Sequence, residues 1–212
     1  VMTITHKDHD PAELTRTGHA AWSLTDIVFA PEQTFPIGLS SSANTTGSET
    51  ERYVVTAVNE DTAEESLIAT ATAKTISGAT AANPVVITAT SHGFTNLDEI
   101  HISGVSGMTQ LNGLRFKVAS VTTHTFELQN LSRVDVDGSG YTAYSSGGSA
   151  FPCYTKITNS HATKDNTITW TSVVGAISYN VYVEKDGVFG FIGRSEIDSF
   201  TDNNLDPDLE DT

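Results

Sequence analysis

A single cysteine, Cys153, stands in 212 residues, which excludes an internal disulfide and any zinc site built on several thiolates. No apolar run approaches the ~20 residues that a membrane-spanning helix requires. Basic side chains are scarce. Eleven Lys and Arg face 26 Asp and Glu, for a formal charge of −15. Such a surface repels phosphate backbones and anionic lipid, so specific nucleic-acid binding and membrane insertion are not expected. The acidity reads as a solubility device. Long helix-forming stretches are missing, and so are G-x-S-x-G, H-E-x-x-H and Walker-type loops. The opening VMTITHKDHD lacks the basic and apolar regions of a signal peptide. Val1 does not open a natural reading frame, so the chain reads as a piece of a longer protein.

Val, Ile, Thr, Phe and Tyr runs alternate with Gly, Asn and Asp clusters, the pattern of an all-β protein. A chain of this length can bury roughly 70% of its extended surface. Residues 1–35 hold two strand-like runs, Val1–Thr5 and Ala21–Phe29, too little to be stable alone, and are read as strands of a parent protein's main body. In the second run Trp22, Leu24, Ile27 and Phe29 break alternation, which predicts a bulge.

Residues 36–75 and 150–205 carry a sandwich pattern. Arg52–Asn59 has apolar groups on both faces, as an inner strand does. Ser66–Lys74 reads as its hairpin partner, and Ser40–Ser48 as a loop. Ile168 and Trp170 share a face, as do Tyr179, Val181 and Val183. Lys185–Gly187 is a hairpin turn, since Asp-Gly tolerates positive φ. Residues 206–212 read as an acidic connector.

Residues 76–149 form a self-contained β-module. Ile100/Ile102, Phe116/Val118 and Phe126/Leu128 alternate with polar neighbours, so each strand has one wet face. Gly104, Gly107 and Gly113 fall at turns. Ser145–Ser149 reads as a return linker.

The candidate sites are weak. His6 and His9, with Asp8 and Asp10, give an H-x-x-H spacing but too few ligands for zinc. Asp135-x-Asp137-Gly138 resembles the start of a calcium loop. However, Ser146 stands where a bidentate Glu is needed, and an Asp-Gly turn accounts for it better. The acids Asp202, Asp206, Asp208, Glu210 and Asp211, and Glu60, Asp61, Glu64 and Glu65, read as solvated connectors and turns. Cys153 has no evident base and reads as structural. Trp22, Tyr141, Tyr144 and Tyr182 are aromatic candidates for a sugar-stacking face, with Tyr141 and Tyr144 favoured for glycan contact. The expectation is no catalysis, no cofactor and no metal.

Three resemblances follow from these runs. TITW, GAISYNVYV and VFGFIG resemble strands B, C and C′ of a fibronectin type III domain, and RYVVTAVNEDTAEESL resembles its F–G hairpin. The order implies either one permuted sandwich or two incomplete modules. His92, Gly93, Phe94, Asp98, Val105, Gly107, Met108, Leu111, Asn112, Gly113, Phe116, Thr125 and Phe126 resemble the first-catalytic-cysteine half-domain of ubiquitin-activating enzymes. That resemblance implies a compact β-barrel-like insertion without ubiquitin chemistry.

Val1, Met2, His6, His9, Pro11, Leu14, Arg16, Gly18 and Trp22 resemble the segment preceding a fibronectin-like insertion in tail-nozzle or tail-tube proteins of tailed phages and prophages. This resemblance implies a structural virion component. It would be assembled in the bacterial cytoplasm, with other tail proteins as partners and a homo-oligomeric ring in the full-length protein. The alternative is a host-surface carbohydrate-binding module of a tail or secreted bacterial protein.

Overall fold

The computed structural model describes residues 1–6, 9–27, 31–163 and 165–210, with the side chains at positions 9 and 10 also outside the description. Among them every regular element is a β-strand apart from a 3-10 turn at Thr109–Leu111. The fold is all-β. Residues 1–32 form one compact unit and 33–212 another.

The first unit is an antiparallel meander of β1 (Met2–His6), β2 (His9–Arg16) and β3 (Trp22–Asp26). Leu14 lies opposite Met2 on one side and Leu24 on the other, so the three share a face. The β2–β3 register runs unbroken from Ala12↔Asp26 to Arg16↔Trp22. No bulge interrupts this ladder, because alternation fails only beyond Asp26, and Phe29, on which the expectation partly rests, lies outside the described residues. The irregularity falls instead between Ile4 and His6.

The second unit begins with β4 (Ile37–Ala43), β5 (Glu49–Asn59) and β6 (Thr70–Ala71). It continues through β7 (Lys74–Thr75), β8 (Gly78–Ala79), β9 (Val86–Thr88), β10 (Glu99–Ser106), β11 (Arg115–Ala119), β12 (Thr125–Gln129) and β13 (Ser146–Pro152). It ends with β14 (Thr155–Ser160), β15 (Asn166–Thr171), β16 (Ala176–Lys185), β17 (Val188–Ser195) and β18 (Ser199–Asp202).

Two four-stranded sheets, β14-β5-β16-β17 and β18-β15-β4-β6, face each other as a sandwich. The inward residues of alternating strands fill one core: Tyr53, Val55 and Ala57 from β5, Ile168 and Trp170 from β15, and Tyr179, Val181 and Val183 from β16. Both sheets draw strands from either side of 72–152. Inside this core the Tyr53 hydroxyl donates to Asp202 at 2.8 Å and accepts from the Asn166 amide at 2.7 Å. Burial, then the Asp202 carboxylate, push the Tyr53 phenol well above its ordinary range.

Two segments depart from the sequence reading. Ser40–Ala43, expected in a loop, belongs to β4, which pairs with β15 through its backbone. Leu39 enters the core and Ala43 packs at its margin, while the serines bond hydroxyl to hydroxyl, Ser40 with Thr169 at 2.8 Å and Ser41 with Thr155 at 3.0 Å. A strand held by its ladder needs few apolar side chains. Ser66–Lys74 leaves β5 after a few bonds, ending with Ala69 N–H to the Val55 carbonyl at 2.7 Å. Its Thr70–Ala71 then runs parallel to β4 in the opposite sheet.

The module is a seven-stranded sheet, β7-β13-β10-β11-β12-β9-β8. It is not a closed barrel. Its two edges are the halves of one stretch, 74–79, which pairs first with β13 and then with β9. Ile76 N–H reaches the Gly148 carbonyl at 3.0 Å and Ser77 N–H the Thr88 carbonyl at 2.9 Å. Ile100, Ile102, Phe116, Val118, Phe126 and Leu128 are fully or almost fully buried in its core. Ser145–Ser149, read as a linker, supplies most of the start of β13. The strand carries no β-branched residue because it packs tightly: a Cβ at Gly148 would stand 2.5 Å from Val105 Cγ2.

Candidate functional site

The module resting on the sandwich buries charge. Asp98, just before β10, has no solvent-exposed side chain and pairs with Arg52 Nη1 of β5 at 2.9 Å. Its carboxylate also accepts from the Tyr154 hydroxyl at 2.6 Å, the Thr95 amide at 2.7 Å and the Thr95 hydroxyl at 2.9 Å. Every lone-pair direction of a buried carboxylate is thereby used, the condition under which such burial is tolerated. The Arg52 guanidinium lies over the Tyr154 ring at 4.9 Å and reaches Glu184 at 3.5 Å. Burial, then the bond to Asp98, raise the Tyr154 phenol above its ordinary range.

A second tie is Arg115 of β11. It bonds Glu99 at 3.2 Å, the Cys153 sulfur at 3.0 Å and the Ile68 carbonyl at 2.6 Å, and covers the Phe35 ring at 5.0 Å. Its side chain is 6% exposed. The face of β11 read as wet is therefore dry at this position, because the sandwich covers it. His101 of β10 shares that fate beside Phe35 and Phe151, and burial, then Arg115, lower its pKa.

Between these ties opens a cleft of about 550 Å3. Val54, Thr56, Tyr182, Glu184 and Phe189 line its sandwich wall, and Asn96, Leu97 and Lys117 its module wall. Glu65 accepts from the Tyr182 hydroxyl at 2.7 Å and from Thr56.

The sequence candidates distribute as follows. Tyr141 and Tyr144 are half-buried against the module core. The Tyr144 hydroxyl donates to the carbonyls of Ile76 and Gly147, at 3.2 and 3.0 Å. Tyr182 lines the cleft, and Trp22 is exposed beneath Arg16 at 5.7 Å. His6 and His9 are partners across the β1–β2 turn. Asp8 and the side chains of His9 and Asp10 lie outside the described residues. Asp137 caps the Ser139 amide at 2.9 Å and Asp135 takes the Gln129 amide at 2.9 Å, so both acids of the calcium-like run serve turn geometry. No group of three or more His, Cys, Asp or Glu able to hold a metal occurs among the described residues. Cys153 is buried, and desolvation pushes its thiol up to about 12, so the thiolate needed of a nucleophile is disfavoured. No helix among the described residues is long and apolar enough to cross a membrane.

Arg52, Tyr154 and Phe189 were not singled out in the sequence. Arg52 and Asp98 stand 46 positions apart, and no local spacing signals such a pair.

Residues 82–151, about a third of the chain, match the family model described as the ubiquitin-activating enzyme E1 FCCH domain. No curated protein matches the chain. The motif residues have packing roles here. His92, Phe94 and Phe126 form a mutual ring cluster with centroids 5.0 to 5.3 Å apart. Asn112 clips both backbone groups of Val105 at 2.9 Å. Met108 and Leu111 are fully buried. Asp98 instead bonds across to the sandwich, to Arg52.

Proposed function

We propose that the chain is a non-catalytic structural part of a tailed-phage or prophage tail, from a tail-nozzle-type protein, in which the sandwich carries the inserted module as a stiff outward projection. The observation that carries this reading is the Arg52–Asp98–Tyr154 clamp. An ion pair between module and sandwich whose carboxylate is fully buried and fully bonded suits a part that transmits load or position. The N-terminal pattern from Val1 to Trp22 supports the tail-nozzle assignment. Where any part of the parent protein lines a DNA passage, the charge of −15 would let DNA slide past without sticking. Its partners would be other tail proteins and further copies of the parent chain in a ring.

The test is to purify particles from an induced host carrying the gene, search them for peptides of this chain by mass spectrometry, and label them with antibody against it. Peptides in the particles and label at the tail support the reading. Particles free of the chain, with the protein recovered from the culture medium, overturn it.

A further inference from the structure

The cleft between module and sandwich has the size of a small-molecule site, which spans roughly 300–1,000 Å3. Its chemistry narrows the ligand. Charges of both signs line it in near balance: Glu65, Asp98, Glu99 and Glu184 against Arg52, Lys117 and Arg133, with Asp98 already saturated by its own partners. In a protein with more than twice as many acids as bases, this balance is local. It offers no cationic cradle for a phosphate and no acidic trough for a polyamine.

A purely apolar ligand is equally ill suited. It would strip water from Glu65, Lys117 and Arg133 without replacing their hydrogen bonds. What remains is a ligand with many neutral hydrogen-bonding groups and some C–H surface.

The walls supply partners for both parts. Tyr182 and Phe189, on adjacent strands β16 and β17, offer aromatic surface, and Phe191 braces the Tyr182 ring edge-on at 5.7 Å. Tyr182 is further fixed by its bond to Glu65. Aromatic rings held in this way suit the C–H face of a pyranose. Around them are groups with capacity to spare. Glu65 has a second carboxylate oxygen beyond the one bonded by Thr56 and Tyr182. Lys117 makes one ion pair, with Glu99 at 3.1 Å, and has three N–H donors. Asn96 accepts the Val121 amide at 3.2 Å through its oxygen, which leaves its NH2 for a ligand.

The geometry points to a binding site for a neutral saccharide in this cleft, with Tyr182 and Phe189 as the ring platform and Glu65, Asn96 and Lys117 as hydroxyl partners. This site is distinct from Tyr141 and Tyr144, and it does not depend on the virion reading.

The test is saturation-transfer NMR on the whole chain. The probes are neutral oligomers of glucose, galactose, mannose and N-acetylglucosamine, with a set of dipeptides as the competing chemistry. At least one sugar should receive saturation through its ring C–H protons. Titration should give a Kd that weakens at least tenfold in Phe189→Ala and several-fold in Lys117→Ala, while Tyr144→Phe stays at the wild-type value. Because Phe189→Ala could loosen β17, Lys117→Ala with an unchanged circular dichroism melt serves as the fold-neutral variant. The assignment is overturned if no neutral sugar is saturated at millimolar concentration, if dipeptides bind and sugars do not, or if sugar binding survives both cleft variants.

Discussion

The Tyr154 hydroxyl donates to Asp98 at 2.6 Å, joining the residue that leads into β14 to the one that leads into β10. Both side chains are buried, and Arg52 closes the triangle from β5. The module's seat on the sandwich therefore rests on polar groups that hold one another.

Asp98→Asn should lower stability by about 2–4 kcal/mol, since it leaves the Arg52 charge short of its partner in a poorly solvated place. Arg52→Met should cost at least as much, since it strands the fully buried Asp98 carboxylate, and the double variant less than the sum. Urea unfolding in a double-mutant cycle should return a coupling of about 1–3 kcal/mol. Additive effects would mean that the pair contributes no mutual stabilisation.

Gly107 and Gly113 have nearly the same backbone, at φ +83° and +78°, in different surroundings. A Cβ at Gly107 would fall 2.1 Å from the Ala143 carbonyl oxygen, whereas Gly113 faces open space. Gly113→Ala should cost about 1–2 kcal/mol for the left-handed backbone alone. Gly107→Ala should cost clearly more and shift the amide resonances of Ala143 and Ser145. Equal costs would show that the loop yields freely.

How much of this was legible beforehand depended on whether a residue's role was periodic. Ile100, Ile102, Phe116, Val118, Phe126 and Leu128 announce their buried face by alternation, and all six are in the core. Asp186-Gly187 announces the β16–β17 turn, where both residues have positive φ. Ser40–Ala43 and Ser146–Ser149 announce nothing, because backbone ladders hold them and their side chains barely enter the cores. The cleft was the least legible part. Tyr182 could be noticed as an aromatic, but its companions Asn96, Lys117 and Phe189 come from a loop and two other strands, and only the docking of module on sandwich assembles them.

His92 and His101 are both held below the ordinary histidine pKa, with desolvation as the largest cause. The unfolded chain then takes up protons at a higher pH than the folded one. Their contribution to stability is complete above pH ~6.5 and is lost as pH falls from there through the folded values. Urea midpoints should fall between pH 7.5 and 5.5, and the fall should be smaller in His92→Gln. A midpoint that rises on acidification across this range would contradict the assignment.

Cys153 should resist alkylation in the native protein. With its thiol pushed up to about 12, the reactive thiolate at pH 8 is only about one part in ten thousand. Intact-mass measurement after iodoacetamide should find native protein unmodified and urea-unfolded protein singly labelled. Rapid labelling without denaturant would show that the site opens locally.

Lys74–Thr75 and Ser149–Ala150 lie paired in one ladder, so the polypeptide enters and leaves the module through neighbouring strands. A short reverse turn could join them across that gap. The module is thus an exchangeable cassette: recombination within the gene could delete it, or substitute another domain of different reach, while the host sandwich kept its own strands in place.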